Sequence, residues 1–206
     1  MPALADGSRL DFARYLTVTT DNQFLLSCSA TPEVSPEIYF GGACIMKFDE
    51  IGTLDWSHSY VSGHFADGGF AAETPWGTYV LSGESKLGYN VSFAVVSSQG
   101  EKVGSYTAGA NSFSNQREDM VFGDNENILT LMSGRDSALP ELWSTSRAGS
   151  TQRLNVFDEL RDNNNSFPKS LVRSSDGGLI LLFNERQVAN NNYDIVVLKT
   201  DITGKM

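Results

Sequence analysis

The side chains in this sequence that could do chemistry are few and scattered. Its two histidines, His58 and His64, stand six residues apart, with Asp67 shortly after them. That spacing fits no metal-ligand motif, and a lone His beside Trp56 and Tyr60 is more often a packing or surface residue than an acid–base group. Serine is plentiful, yet Gly63-His64-Phe65 and Ser82-Gly83-Glu84 both miss the G-x-S-x-G elbow that presents a nucleophile. No Walker loop, HExxH pair or dinucleotide fingerprint is present. Carboxylate pairs such as Glu118-Asp119, or Asp67 with Glu73, are of the type a glycosidase uses. With 25 Asp and Glu in the chain, such pairs arise from composition alone. No catalytic residue, metal ligand or cofactor is assigned.

Binding chemistry has better candidates. Asn163 and Asn164 lie in one Asn run and Asn190 and Asn191 in another, the second leading into Tyr193. Amides beside an aromatic ring can hydrogen-bond and stack on a sugar, although solvated Asn-rich loops are the plainer account. Tyr89 stands at the position equivalent to Tyr193 one pair of repeats earlier, which favours a structural role for both. Cys28 and Cys44 end one strand and start the next of the same hairpin. They form either a disulfide, which fits an exported protein, or two buried thiols. Asn90-Val91-Ser92 and Asn164-Asn165-Ser166 are formal glycosylation sequons of a kind that also occurs by chance.

Charge and hydropathy narrow the partners. A net charge of −10 repels phosphate backbones and anionic membrane surfaces, so nucleic acid is a poor partner. The longest apolar stretches, such as 178–183, fall far short of the ~20 residues a helical membrane span needs, so no insertion is expected. The N-terminal Met1 to Gly7 segment has neither the basic nor the apolar region of a secretory signal. An extracellular or cell-envelope location is expected with the signal absent from this sequence.

The elements that must position these residues repeat. A strand followed by a four-residue turn ending in Gly recurs at 44–52, 92–100, 141–149 and 196–204, and the closing glycines Gly52, Gly100, Gly149 and Gly204 lie 48, 49 and 55 residues apart. A period of roughly 50 residues belongs to propeller-type arrays. Asp or Ser at the first turn position can bond backbone two residues on, and Gly at the fourth accepts φ > 0. Upstream of each anchor a tight polar turn opens a second strand: Thr20 to Gln23, Pro75 to Thr78, Asp124 to Asn127 and Ser175 to Gly178. A short apolar segment precedes each turn, and another strand follows the first three anchors.

The pattern T-x-D-G-G-(Y/L)-(I/L)-(I/L), a loop, then D-(I/V)-x-(V/L)-(I/L)-K-x-D-x-x-G-x-x-x-W resembles bacterial β-propeller repeats of exported and cell-surface proteins. Its best copies are Ser174 to Gly204 and Thr19 to Trp56. The middle copies depart from it, with Trp76 in place of the turn Asp and Leu139 where the last copy has Asp194. The expected fold is all-β: four four-stranded antiparallel blades, strands a to d, in one domain over 1–206. The repeats cover about 11–60, 66–108, 117–158 and 167–206. The last blade stops after strand c, which leaves a closed four-blade ring, part of a larger propeller, or two chains sharing one ring.

Tight a–b and c–d turns occupy one rim of such a fold, and the b–c and d–a connections, variable in length and content, occupy the other. Variable loops on a rigid scaffold are where binding resides, so that rim is the candidate surface. The functional expectation is a non-enzymatic binding or scaffold module for a glycan or protein. The alternatives are a polysaccharide-acting hydrolase or lyase with its site in the central channel and a structural subunit of a larger assembly; a homodimer through the incomplete last blade is a further partner option.

Overall fold

The structure, a computed structural model, describes residues 9–31, 42–60, 65–85, 91–108, 119–133, 139–158, 160, 166–186 and 192–206. Its fold is all-β, a propeller-type array of four antiparallel sheets, each a simple meander. Blade 1 holds β1 (Arg9–Val18), β2 (Phe24–Thr31), β3 (Gly42–Phe48) and β4 (Leu54–Tyr60); blade 2 holds β5 (Phe65–Glu73), β6 (Tyr79–Ser85), β7 (Val91–Val96) and β8 (Lys102–Ala108). Blade 3 holds β9 (Asp119–Phe122), β10 (Ile128–Ser133), β11 (Pro140–Thr145) and β12 (Thr151–Val156); blade 4 has three strands, β13 (Ser166–Arg173), β14 (Leu179–Arg186) and β15 (Tyr193–Thr200). The chain forms two compact units, Met1–Thr107 and Ala108–Met206, each carrying two blades.

One turn design joins a to b and c to d. In each, the N–H of the first residue bonds the carbonyl of the fifth, as in Asp49 to Thr53 at 2.9 Å, Ser97 to Glu101 at 2.8 Å and Ser174 to Gly178 at 2.9 Å. The fourth residue lies in the left-handed region: Gly52, Gly77, Gly100, Gly149, Gly177 and Gly204, with Asn22 and Glu126 in two copies. This three-residue bulged hairpin matches the right-handed strand twist and needs a residue that tolerates φ > 0. The first side chain caps it. Asp49 Oδ1 accepts from Ile51 N and Thr53 N, Asp201 Oδ1 from Thr203 N and Lys205 N, and Ser97 Oγ from Gln99 N and Glu101 N. The a–b turns start one residue earlier than the sequence reading placed them, at Thr19, Thr74, Gly123 and Ser174. Thr19 and Thr74 take the capping role with their hydroxyls, which accept from Gln23 N and Thr78 N.

Blade packing follows one rule within each unit. Strand residues alternate between two faces, and the face of one blade meets the opposite-parity face of the next. In the first unit Leu25, Ala43, Ile45 and Tyr60 of blade 1 pack on Ala71, Tyr79, Leu81, Ala94 and Val96 of blade 2. In the second, Leu129, Leu131 and Leu142 of blade 3 pack on Leu171, Leu179, Leu181 and Phe183 of blade 4. A third cluster, Cys28, Cys44 and Met46 with Leu26 and Phe48, sits on the other face of blade 1.

Polar ties reinforce these contacts. Glu73 takes Thr20 N at 2.6 Å and Thr20 Oγ1 at 3.1 Å, and Trp56 Nε1 donates to Ser98 O. In the second unit Asp119 Oδ2 accepts from Ser170 Oγ at 2.7 Å and Leu171 N at 2.9 Å.

Candidate binding surface

The rim proposed to bind is built on the far ends of strands b and c. In blade 1 its base is rigid. Cys28 and Cys44 are register partners on β2 and β3 and are joined by a disulfide, with Cα atoms 5.0 Å apart. The bond closes the connection between them at its root. Beside it, β5 of blade 2 presses on β2: a Cβ on Gly68 would lie 2.3 Å from the Cys28 carbonyl oxygen, and Ser27 Oγ donates to Gly69 O at 2.5 Å. Only glycine permits that approach.

In blade 4 the b–c connection runs between β14 and β15, where Tyr193 opens β15 opposite Arg186. Tyr193 is 58% exposed, so its ring is presented rather than packed. Asn163, Asn164, Asn190, Asn191 and Tyr89, together with His64, lie outside the described residues.

His58 is accounted for by packing. It is exposed on β4, its ring centroid is 5.6 Å from that of Trp56, and its edge lies over the blade 2 turn glycine, Gly100. Its register partner is Ile45. In blade 3 the corresponding pair is Leu142 with Asn155, and Asn155 and Leu142 lie over the blade 4 turn glycine, Gly204. The turn carbonyls are used as well: Gly100 O accepts from Tyr60 Oη at 2.8 Å, and Gly204 O from Asn155 Nδ2 at 2.6 Å. Burial pushes the Tyr60 phenol up, which keeps it a neutral donor. The sequence reading gave these glycines a conformational role; their second role, as a seat for the preceding blade, shows only once His58 and Asn155 are aligned by register.

Seven of the described carboxylates are bonded into turns or between strands and blades. Asp49 and Asp201 are held below the usual range chiefly by turn N–H groups, Asp21 by the Thr19 hydroxyl and then by Lys47, and Asp176 is held at about 2, first by its bond from Lys199. Asp119 and Glu73 tie blades, and Glu141 accepts from Trp143 Nε1 and Arg153. Among the described residues no cluster of His, Cys, Asp or Glu could hold a metal ion, and no helix is long and apolar enough to cross a membrane.

No family model matches the chain, and no curated protein matches it. Solved structures match it in fold. A GH43 β-1,3-galactosidase superimposes with a TM-score of 0.61 at 12% identity, over 97% of this chain and 46% of the other. A protein of unknown function from Bacteroides caccae gives 0.54 at 14%, over 94% and 62%. An exo-β-1,3-galactanase from Phanerochaete chrysosporium, with β-1,3-galactotriose, gives 0.56 at 9%, over 95% and 47%. The chain thus spans about half to three-fifths of the length of these structures, and identities this low establish a common fold and nothing finer.

Proposed function

We propose that this chain is a non-hydrolysing β-propeller module that binds a glycan through its b–c and d–a connections. The observation carrying this reading is Tyr193: an exposed aromatic ring at the root of an Asn-rich connection, mounted on a sheet whose other face is packed. Rings so placed stack on the apolar face of a sugar. The carboxylates support the non-hydrolysing part. A glycosidase acid is held protonated by a raised pKa, whereas among the described residues Asp21, Asp49, Asp176 and Asp201 are lowered by bonds made within or beside the turns. Fold likeness to galactosidases and galactanases motivates β-1,3-linked galactosides as the first ligands to try. The disulfide fits an exported protein, and an extracellular or cell-envelope setting belongs to the same proposal.

The test is calorimetric titration with β-1,3-galacto-oligosaccharides, backed by a wider glycan array, while the same mixtures are followed for released galactose. Saturable binding without release is expected, with Tyr193→Ala weakening it by about tenfold, the worth of one stacked ring. Silence across the array removes the glycan reading and leaves a protein ligand. Galactose release would establish the second reading, a polysaccharide-acting hydrolase, which the same fold likeness favours.

A further inference from the structure

One irregularity recurs in the first strand of the blades. In β1 the register passes from Ala13 opposite Cys28 to Tyr15 opposite Ser27 and leaves Arg14 over; in β13 it passes from Pro168 opposite Phe183 to Ser170 opposite Leu182 and leaves Lys169 over. Arg14 stands five residues before the a–b turn that starts at Thr19, and Lys169 five before the one that starts at Ser174. Both side chains are exposed. Blade 2 has Gly69 at this position, inside a shift of its own between Gly68 and Ala71. A bulge takes one residue out of the ladder and re-aims its side chain. Two blades use it to hold out a long cation.

In the first unit that cation is built in. Arg14 Nε donates to Ser29 Oγ at 2.9 Å, and the guanidinium carbon lies 5.6 Å from the centroid of the Phe12 ring. Ser29 is buried, at 5% exposure, whereas Phe12 is 65% exposed. Phe12 is the register partner of Ser29, and Tyr15, the partner of Ser27, sets its ring 4.2 Å from that of Phe70 in blade 2. This corner therefore lies on the side of blade 1 that faces blade 2, within one unit. Blade 2 meets it with backbone at Gly68, where a Cβ would fall 2.3 Å from Cys28 O and 3.4 Å from Ser29 N, so no side chain at that position fills the corner. Ser29 also adjoins the Cys28–Cys44 disulfide at the root of the b–c connection of blade 1, which puts the corner on the rim.

We infer that Arg14, Phe12 and Ser29 take the carboxylate-bearing sugar, a uronate, of the glycan assigned to this rim, an inference that rests on that reading. A guanidinium anchored on a buried hydroxyl and laid along a ring has already lost much of its rotamer freedom, and its planar fork matches a carboxylate with two parallel bonds. The exposed ring beside it stacks on the apolar face of the sugar that carries the acid. With a net charge of −10 the chain does not draw anions in from a distance, so the preference comes from contact with this guanidinium. Galacturonate, which is galactose with a carboxylate in place of its primary alcohol, is the matched probe.

Calorimetric titration of the full chain with galacturonate oligosaccharides and with their methyl esters tests this, because esterification removes the charge and keeps the sugar ring. The free acid should bind about tenfold or more tightly than the ester. Arg14→Gln should bring the acid down to the affinity of the ester and leave the ester unchanged. Arg14→Lys, which keeps the charge without the planar fork, should recover only part of the preference. Phe12→Ala should weaken acid and ester alike. Both residues are exposed, and circular dichroism checks that each variant folds. Equal binding of acid and ester by wild type overturns this inference and leaves the glycan reading standing, as does an acid preference that persists in Arg14→Gln. Binding of neither overturns it too, and the glycan reading then stands or falls on the wider array.

Discussion

The double role of the turn glycines gives the sharpest energetic test, through Gly52→Ala and Gly100→Ala. Both glycines have nearly the same backbone conformation, φ 85° and 86°, and both lie in the first unit, so the same unfolding event reports on each. An alanine in this conformation costs about 1–2 kcal/mol whatever its surroundings. At position 52 that is the whole effect, because no atom lies within 4 Å of the new Cβ. At position 100 the Cβ would sit 2.2 Å from His58 Cδ2 and 2.9 Å from Trp56 Cε3. His58 is exposed and can swing away. Trp56 cannot do so freely, because its Nε1 donates to Ser98 O and its ring lies against Tyr79 at 6.0 Å.

Relief must therefore come from movement of the turn, which loosens the bond from Tyr60 Oη to Gly100 O in a buried setting. Overpacking of this kind adds about 1–3 kcal/mol. The expected losses are about 1–2 kcal/mol for Gly52→Ala and about 2–5 kcal/mol for Gly100→Ala, read from urea midpoints at fixed m. Adding His58→Ala to Gly100→Ala should recover only part of the difference, since Trp56 remains. Losses equal within 0.5 kcal/mol would refute the claim that the preceding blade seats on this glycine.

Three further outcomes follow from the same structure. Reducing the Cys28–Cys44 bond, or replacing both residues by Ser, should cost about 2–3 kcal/mol for a closed loop of this length, seen as a drop in melting temperature with reductant. Asp119→Ala removes an acceptor shared by Ser170 Oγ and Leu171 N between blades 3 and 4 and leaves both donors unpaired; a loss of about 1–3 kcal/mol is expected, confined to the second unit by hydrogen exchange. Asp176 has a folded pKa of about 2, below that of the unfolded carboxylate, so its contribution is complete above about pH 4 and disappears as pH falls toward 2. Asp176→Asn should flatten the stability profile across that window and leave the slope at higher pH unchanged.

Much of the architecture was legible because it is encoded locally. Asp49, Ser97, Ser146 and Asp201 each stand three residues before a glycine, and every one of those glycines has positive φ. The a–b turns were framed one residue late because their capping residues, Thr19 and Thr74, are weaker signals than the Asp and Asn that follow them. The fifteen strands among the described residues, three of them in the last blade, agree with the alternation in sequence. The binding rim was less legible for a physical reason. Connections such as 29–42 and 185–193 have no period and no fixed turn chemistry, so composition says only that they are polar and variable.

Exposure of blade 4 could not be read at all. Ile195 to Leu198 is a continuous apolar run of the kind a strand buried on both faces carries, and β3 and β7 bear this out. β15 has the same sequence character with one face open.

His58 makes the complementary point. Its residue type suggests acid–base or metal chemistry, while its register position, opposite Ile45 and above Gly100, is held in blade 3 by Asn155, which does no such chemistry. The two side chains share only a flat polar group able to lie over a left-handed glycine. Where a unit is repeated, chemistry should be sought at positions whose counterparts in the other blades do something different. Tyr193 calls for that comparison: its ring is exposed and borders the connection most enriched in amides, while its counterpart Tyr89 lies outside the described residues.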